Sequence, residues 1–142
     1  MTERSLVLVK PDAFARGLTG EVLRRIEAKG YTLVALAVRT PTRELLHAHY
    51  AEHVRKPFFV GLVEFMSSGP VTAVVIEGVR CVEGFRSLAG PTDPTSAAPG
   101  SIRGDLGRDW GQGSRENIVH GSDSPESAAR EIALWFPDLR RT

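Results

Sequence analysis

Three segments of the chain are continuously apolar, the pattern of strands whose two faces are both covered in a sheet. Leu6–Val9 stops just before Pro11, which cannot donate a ladder hydrogen bond and therefore ends the strand. Tyr31–Val38 is rich in residues that favour strands, and we expect most of both its faces to be covered. Val71–Ile76 predicts a third strand, and Asn117–Val119 predicts a short fourth one.

Apolar residues recur at helical spacing in the segments between these strands. The first helix is predicted at about residues 20–29, with Thr19 as its N-cap and Gly30 just after its end. The last helix is predicted to begin after Ser124, which would cap it, and to carry a buried stripe. Three further helices are predicted near Leu45–Tyr50, Phe58–Met66 and Cys81–Leu88, so that strands and helices alternate four times.

A segment without periodicity runs from Gly90 to Arg115, which is far longer than the usual connection between elements. It is either a flexible linker or a functional loop. Only 27 residues follow it, too few for a separate domain, and it contains arginines, aspartates and Trp110. These features favour a functional loop.

Composition narrows the class of protein. The 142 residues and 15.5 kDa predict a single domain over residues 1–142. Eighteen basic against seventeen acidic residues give a net charge of +1, so we expect no membrane surface or specific nucleic acid as partner, and any anion site must be local. One cysteine, Cys81, and an N-terminus without a signal segment predict a cytoplasmic location.

The candidate chemistry centres on His120, which leaves a buried strand next to Gly121 and shortly before a helix. Lys10 closes the first strand and could reach the same pocket, although a strand-end cation is more often solvated. Known phosphate-binding motifs are absent from the sequence. If the protein binds a nucleotide, a histidine nucleophile with arginines is then the remaining candidate. The side chains suited to phosphate oxygens are Arg86, Thr92 and Arg103.

These residues belong to motifs that resemble the nucleoside diphosphate kinases. The most specific is Asn117-Ile-Val-His-Gly-Ser-Asp123, and the resemblance covers almost the whole chain. Supporting matches include Val9-Lys-Pro-Asp12, Lys56-Pro-Phe-Phe59, Ser68-Gly-Pro70 and Pro99-Gly-Ser-Ile-Arg-Gly-Asp105. The resemblance implies an α/β (α+β) fold, a ferredoxin-like sandwich in which helices cover a four-stranded antiparallel sheet, with a long nucleotide-site loop.

The resemblance also implies an activity, ping-pong transfer of a γ-phosphate from a nucleoside triphosphate such as ATP to a nucleoside diphosphate through a phosphohistidine. His120 would be phosphorylated, with Glu131 and Ser122 holding its ring and Lys10 assisting. The implied nucleotide-binding residues are Lys10, Tyr50, Phe58, Arg86, Thr92, Arg103 and Asn117. Phe58 would stack on any base, which implies broad base tolerance. Mg²⁺ would be held mainly through nucleotide phosphates and water, with no protein ligand, and the implied assembly is a homo-oligomer, either tetramer or hexamer.

Three alternatives stay open at this point. His49-Tyr-Ala-Glu52-His53 matches the H-x-x-E-H pattern of some zinc peptidases, although a solvated helix face explains it equally simply. A sheet of this topology also occurs in RNA-binding modules, but the strands here carry aliphatic rather than aromatic residues. Trp110 could stack on the base opposite Phe58, or it could only anchor the long loop.

Overall fold

A four-stranded antiparallel sheet forms the centre of the computed structural model, which describes residues 2–111 and 116–140. Its spatial order is β2-β3-β1-β4, the order of a ferredoxin-like sandwich, which confirms the predicted fold. β1 pairs with β3 along its whole length and with β4 only at its end. The strands are β1 (Thr2–Val9), β2 (Thr32–Arg39), β3 (Val71–Val79) and β4 (Val119–Gly121).

Seven α-helices within the described residues cover the sheet or connect its strands. They are α1 (Pro11–Ala15), α2 (Thr19–Lys29), α3 (Arg43–His49), α4 (Phe59–Met66), α5 (Cys81–Ala89), α6 (Ile102–Leu106) and α7 (Pro125–Trp135), and a 3₁₀ turn at Ala51–His53 follows α3. α1 and α6 have only five residues each. A helix this short does not show a recognisable hydrophobic period, so the sequence did not predict either of them.

Alternation along β1 divides the core into two halves. Val7 and Val9 face the cluster that includes α2 and α5, whereas Leu6 and Leu8 face the cluster that includes α4 and α7. All four side chains are fully buried. The uninterrupted apolar run Leu6–Val9 is therefore explained by a strand that has helices on both of its faces.

The two helix caps expected from the sequence have different outcomes. Ser124 caps α7 as predicted, because its hydroxyl accepts a hydrogen bond from the Ser127 N–H at 3.0 Å. The prediction for Thr19 is wrong: α2 begins at Thr19 itself, and Leu18 occupies the cap position. The Thr19 hydroxyl instead forms a 3.1 Å hydrogen bond with the hydroxyl of Thr72, which ties the start of α2 to β3.

Two strand predictions also need correction. β2 is an edge strand rather than one covered on both faces, since Leu36 and Val38 are 52% and 58% exposed. The fourth strand begins two residues later than predicted, at Val119. The cause of this shift is Ile118, whose φ of +78° does not fit an extended strand.

Tyr31, just before β2, lies against two glycines that have no room for a side chain. A Cβ added at Gly78 would lie 2.8 Å from Cδ1 of the Tyr31 ring, and one added at Gly84 would lie 2.7 Å from Cζ. Gly84→Ala should therefore lower the free energy of unfolding by about 1–3 kcal/mol through overpacking, measured by urea denaturation.

The matched control is Gly20→Ala, another glycine in a helix, where an added Cβ meets nothing within 4 Å. That variant should be more stable than the wild type by about 0.5–1 kcal/mol because alanine favours helix. Equal stability changes in the two variants would show that Tyr31 does not fill the space beside Gly84.

Candidate active site

A cavity of about 710 Å³ opens where the end of β1 meets β4, the start of α4 and the segment after α5. Its lining includes both polar and aromatic side chains. The structure brings eight of the ten site residues expected from the sequence to this cavity, namely Lys10, Tyr50, Phe58, Arg86, Thr92, Arg103, Asn117 and His120. The other two, Ser122 and Glu131, lie behind the His120 ring.

His120 occupies the middle of β4, opposite Leu8 of β1. Its Nε2 lies 2.9 Å from the Oε1 atom of Glu131, and its side chain is 19% exposed. Because a carboxylate oxygen can only accept a hydrogen bond, the proton of the neutral ring belongs on Nε2. Nδ1 then carries the lone pair, which makes it the nucleophilic atom of the ring.

Glu131 is fixed by a second hydrogen bond. The Ser122 hydroxyl donates to Oε1 of Glu131 at 2.8 Å and accepts from the Leu6 N–H at 3.1 Å, which links the carboxylate to β1. Burial alone would raise the pKa of Glu131, but the hydrogen bond and charge of His120 and the hydrogen bond from Ser122 hold that pKa below its usual value. The carboxylate is therefore charged at neutral pH.

A second histidine, His49, packs beside the first and was not expected in the site. The two imidazole rings meet edge to face with centroids 4.8 Å apart. The Trp135 indole N–H donates to Nδ1 of His49 at 3.0 Å. Burial, assisted by the nearby His120, lowers the pKa of His49 to about 3, so His49 is a neutral wall against the reactive ring. The H-x-x-E-H pattern did contain this residue, but it indicated a different chemistry.

The zinc-peptidase alternative does not fit this arrangement. α3 ends at His49 and His53 lies in the 3₁₀ turn, so the two histidines do not share a continuous helix face. Within the described residues, the group of possible metal ligands is His49, His120 and Glu131. Nδ1 of His49 accepts from Trp135, and Nε2 of His120 is bound to Glu131, so protein partners already engage this group.

The cavity is strongly cationic. Lys10 is buried and donates to Oδ1 of Asn117 at 2.8 Å. Burial lowers the pKa of Lys10 to about 8, and the Arg103 charge lowers it too, whereas Asp12 acts in the opposite direction. Burial and the neighbouring Arg86 also lower the pKa of Arg103, to about 10. No carboxylate lies among the described residues that line the cavity, which is the electrostatic pattern of an anion site.

Arg103 has a role that the sequence did not indicate. Its three guanidinium nitrogens donate to the carbonyls of Gly90 at 2.7 Å, Asn117 at 3.1 Å and Val119 at 2.6 Å. These bonds tie the end of α5 to the segment that leads into β4. Since a guanidinium has five N–H donors, two have no partner among the described residues and are available to a ligand in the cavity.

The segment before β4 contains a strained turn at Ile118. This buried, β-branched residue has a φ of +78°, and the Val119 N–H donates across it to the Asn117 carbonyl at 2.9 Å. That combination is a γ-turn of the rare, strained kind, which costs on the order of 1–3 kcal/mol. This turn is not predictable from the sequence, because isoleucine rarely adopts a positive φ.

The mouth of the cavity is aromatic. Phe58 is 53% exposed, and Lys56 Nζ lies 5.8 Å from its ring centroid. Tyr50 lies deeper, where burial raises the pKa of its phenol, with the Glu131 charge adding to the effect. An exposed ring over a cationic pocket suits a ligand with a flat ring system and phosphate groups.

Trp110 does not line this cavity. Its ring lies against two guanidinium groups, with the Arg108 Cζ atom 4.1 Å and the Arg16 Cζ atom 5.9 Å from its centroid. Arg16 also donates to the Leu106 carbonyl at 2.8 Å. These contacts favour the loop-anchoring alternative over stacking on a base. Residues 112–115 of the same loop lie outside the described residues.

Comparison with known proteins gives consistent matches. The family model described as nucleoside diphosphate kinase matches residues 3–140. The nucleoside diphosphate kinase of Mycobacteroides abscessus is 60% identical over 140 residues, 98% of this chain and 100% of that protein. The one from Streptomyces coelicolor is 60% identical over 138 residues, 96% of this chain and 98% of that protein.

Solved structures agree with these matches. A halophilic nucleoside diphosphate kinase from Halobacterium salinarum, in complex with CDP, is 48% identical with a TM-score of 0.90, over 97% of this chain and 90% of that one. The Aquifex aeolicus enzyme is 44% identical with a TM-score of 0.90, over 96% of each chain. None of the described helices is long and apolar enough to cross a bilayer.

The buried ammonium of Lys10 should be visible in the pH dependence of stability. Its pKa is about 8 in the fold and about 10.4 in an unfolded chain, so between these values the unfolded state binds more protons. The free energy of unfolding should therefore rise with pH across that window, by up to about 1.4 kcal/mol per pH unit.

Lys10→Met is the matched reference, because other groups titrate in the same range and their contributions cancel in the difference. Denaturation of both proteins at several pH values from 7 to 10.5 gives the comparison. A wild-type minus Lys10→Met difference that does not change with pH would refute the lowered pKa.

Proposed function

The chain belongs to the nucleoside diphosphate kinase family, and from that premise we propose that His120 is the residue that carries the phosphoryl group between nucleotides. Enzymes of this family transfer phosphate between nucleoside triphosphates and nucleoside diphosphates through a phosphohistidine, and this chain is such an enzyme.

The observation that carries the assignment is the hydrogen bond between His120 Nε2 and Glu131. It leaves Nδ1 as the nucleophile of a ring that lines the cationic cavity. In the first half-reaction the Nδ1 lone pair forms a bond to the γ-phosphorus while the bond to the β–γ bridging oxygen breaks, and the diphosphate leaves. In the second, the terminal oxygen of another diphosphate attacks the phosphohistidine and restores neutral His120. No proton has to leave Nε2, which stays bonded to Glu131.

The cations supply what phosphoryl transfer most needs, fixed charge around the transferring group. Arg103 has two N–H donors that no described residue engages, and Arg86 donates to the Gly121 carbonyl at 3.4 Å, so both guanidinium groups are positioned beside the reactive ring. Lys10 enters from the end of β1. Thr92 adds a hydroxyl at the rim, and its backbone carbonyl accepts from Asn117 at 2.9 Å.

The nucleoside is expected at the mouth of the cavity, with its base on Phe58. An aromatic face stacks on any base without reading its hydrogen-bonding edge, which supports broad base tolerance. Lys10 and Asn117 form a hydrogen-bonded pair at the depth where ribose hydroxyls would lie. The solved Halobacterium salinarum enzyme is a complex with CDP, which supports binding of a nucleoside diphosphate by this chain.

Kinases of this family use a divalent cation, and we propose that it is Mg²⁺. Mg²⁺ prefers oxygen ligands, and no carboxylate lies among the described residues that line the cavity. The donor set therefore fits an ion that arrives with the nucleotide, held by phosphate oxygens and water rather than by the protein. When bound, it would neutralise phosphate charge and help to align the groups.

Replacing His120 by alanine tests the proposal. Incubation of the wild type with γ-labelled ATP and Mg²⁺ should give a phosphoprotein that acid hydrolyses and base does not, as expected for phosphohistidine. His120→Ala should lose this label and at least about 10³-fold of the exchange rate, because the nucleophile is absent.

His47→Ala provides a matched control, since His47 is exposed on α3 and does not line the cavity. It should label and exchange like the wild type. Retention of wild-type exchange by His120→Ala would disprove the assignment.

We further propose that residues 1–142 act as one cytoplasmic domain that assembles into a homo-oligomer, either tetramer or hexamer. An edge strand with exposed apolar side chains supports assembly, because such edges are normally covered. Leu36 and Val38 of β2 lie on the same face of the sheet, opposite Val74 and Thr72 of β3. A two-fold pairing of β2 with its copy would bury both.

Leu36→Glu should shift the protein toward the 15.5 kDa monomer, because pairing would bury the new charge. Light scattering at micromolar concentration measures the change. Val54→Glu serves as the control, since Val54 is 44% exposed but lies away from β2, after the 3₁₀ turn. A wild type that is already monomeric, or a Leu36→Glu variant with wild-type mass, would contradict assembly through β2.

A further inference from the structure

Both backbone polar groups of Ile118, the central residue of the strained turn, form hydrogen bonds to residues outside the turn. The Ile118 carbonyl accepts from the Lys10 backbone N–H at 2.9 Å, and the Ile118 N–H donates to the Oδ2 atom of Asp12 at 3.1 Å. The first contact is made by the backbone and exists in any variant. The second is made by the Asp12 side chain. Of the two contacts that clamp the turn, it is therefore the one that a substitution at position 12 can remove.

Each neighbour of this turn belongs to the site. Asn117, before it, bonds to Lys10 and Thr92 through its side chain, and Val119, after it, bonds to Arg103 through its carbonyl. His120 follows directly. A change of φ at Ile118 would therefore rotate the Asn117 side chain and shift the strand that carries the nucleophile.

Asp12 lies in α1 and does not line the cavity. Its Oδ1 atom is buried without a hydrogen-bond partner among the described residues, so the described hydrogen bond of this carboxylate goes to the turn. A buried carboxylate oxygen without a partner is costly, and its retention at this place points to a positional role.

We propose that Asp12 is a positioning residue for phosphotransfer, which holds Ile118 in its left-handed conformation and thereby aims Asn117 and His120. This inference rests on the proposed function of His120. Asp12 could otherwise act only through its charge, which lies near Lys10. The two roles predict different behaviour of an uncharged side chain that still accepts a hydrogen bond.

Asp12→Asn and Asp12→Ala separate these roles. Asparagine keeps an oxygen that can accept from the Ile118 N–H, whereas alanine keeps neither acceptor nor charge. In single-turnover labelling with saturating γ-labelled ATP, Asp12→Ala should phosphorylate His120 at least about tenfold more slowly than the wild type, since misplaced reacting groups lose rate even when the substrate is bound. Asp12→Asn should stay within about threefold. Equal loss in both variants would show that charge is responsible and would overturn the proposal.

A glycine at position 118 gives a second, independent test. Glycine adopts a positive φ without strain, so the turn should need its clamp less. The rate lost on Asp12→Ala should therefore be smaller in an Ile118→Gly background than in the wild type. The same loss in both backgrounds would contradict the proposal, and if Ile118→Gly does not fold, the Asn and Ala pair still decides.

The control for stability is Gly30→Ala, which places alanine at a φ of +104° at the end of α2. It should lower the melting temperature as Asp12→Ala does while leaving the phosphorylation rate unchanged. A rate loss in Gly30→Ala equal to that of Asp12→Ala would mean that general destabilisation explains both.

An unlabelled wild type would refute the function of His120, whereas a labelled wild type with an equally fast Asp12→Ala would refute only the role of Asp12.

Discussion

The hydrogen bond between Glu131 and His120 is the interaction on which the site depends. It sets which ring nitrogen carries the proton, and it works only if the carboxylate stays charged and still. Ser122 holds the carboxylate in position, because its hydroxyl bridges Glu131 to the backbone of Leu6 in the central strand. The position of the His120 ring is thus set by the most buried part of the sheet rather than by a loop. This explains why a strand of only three residues can present a reactive side chain reliably.

α7 holds the other side of the ring through residues spaced one turn apart. Glu131 and Trp135 are four positions apart and share a helix face, so one bonds to His120 and the other to His49. Arg130, on the same helix, donates to the backbone carbonyls of Ala48 and His49 at 2.9 and 3.1 Å. The end of α3 is therefore fixed to α7 by backbone and side chain together. Because His49 is buried and neutral, it adds no positive charge of its own beside the nucleophile.

The sequence predicted the sheet and most of the site because both leave local patterns. Leu6–Val9 predicted a buried strand because the residues that point to either face of the strand are all apolar. The motif around His120 identified the family. Apart from the two helices that are too short to show a period, the clearest failures depend on contacts between residues that are distant in the chain. Thr19 was predicted to be a helix cap, but its hydroxyl is hydrogen-bonded to Thr72, which is 53 residues away in the chain. The hydrogen bond between Asp12 and the turn at Ile118 likewise joins residues that are 106 positions apart. No window of sequence contains such information.

The site combines two energetically unfavourable features. A buried lysine and a half-buried arginine lie in a cavity whose described lining has no carboxylate, and an isoleucine is kept in a left-handed conformation. Both cost stability in the empty protein. In the proposed function, a bound nucleotide would reduce the first cost, because its phosphates would supply the missing negative charge and favour the protonated lysine. The cationic cavity would then receive its compensating charge from the substrate. Under this proposal the groups that bind the phosphates are already in place before the reaction begins.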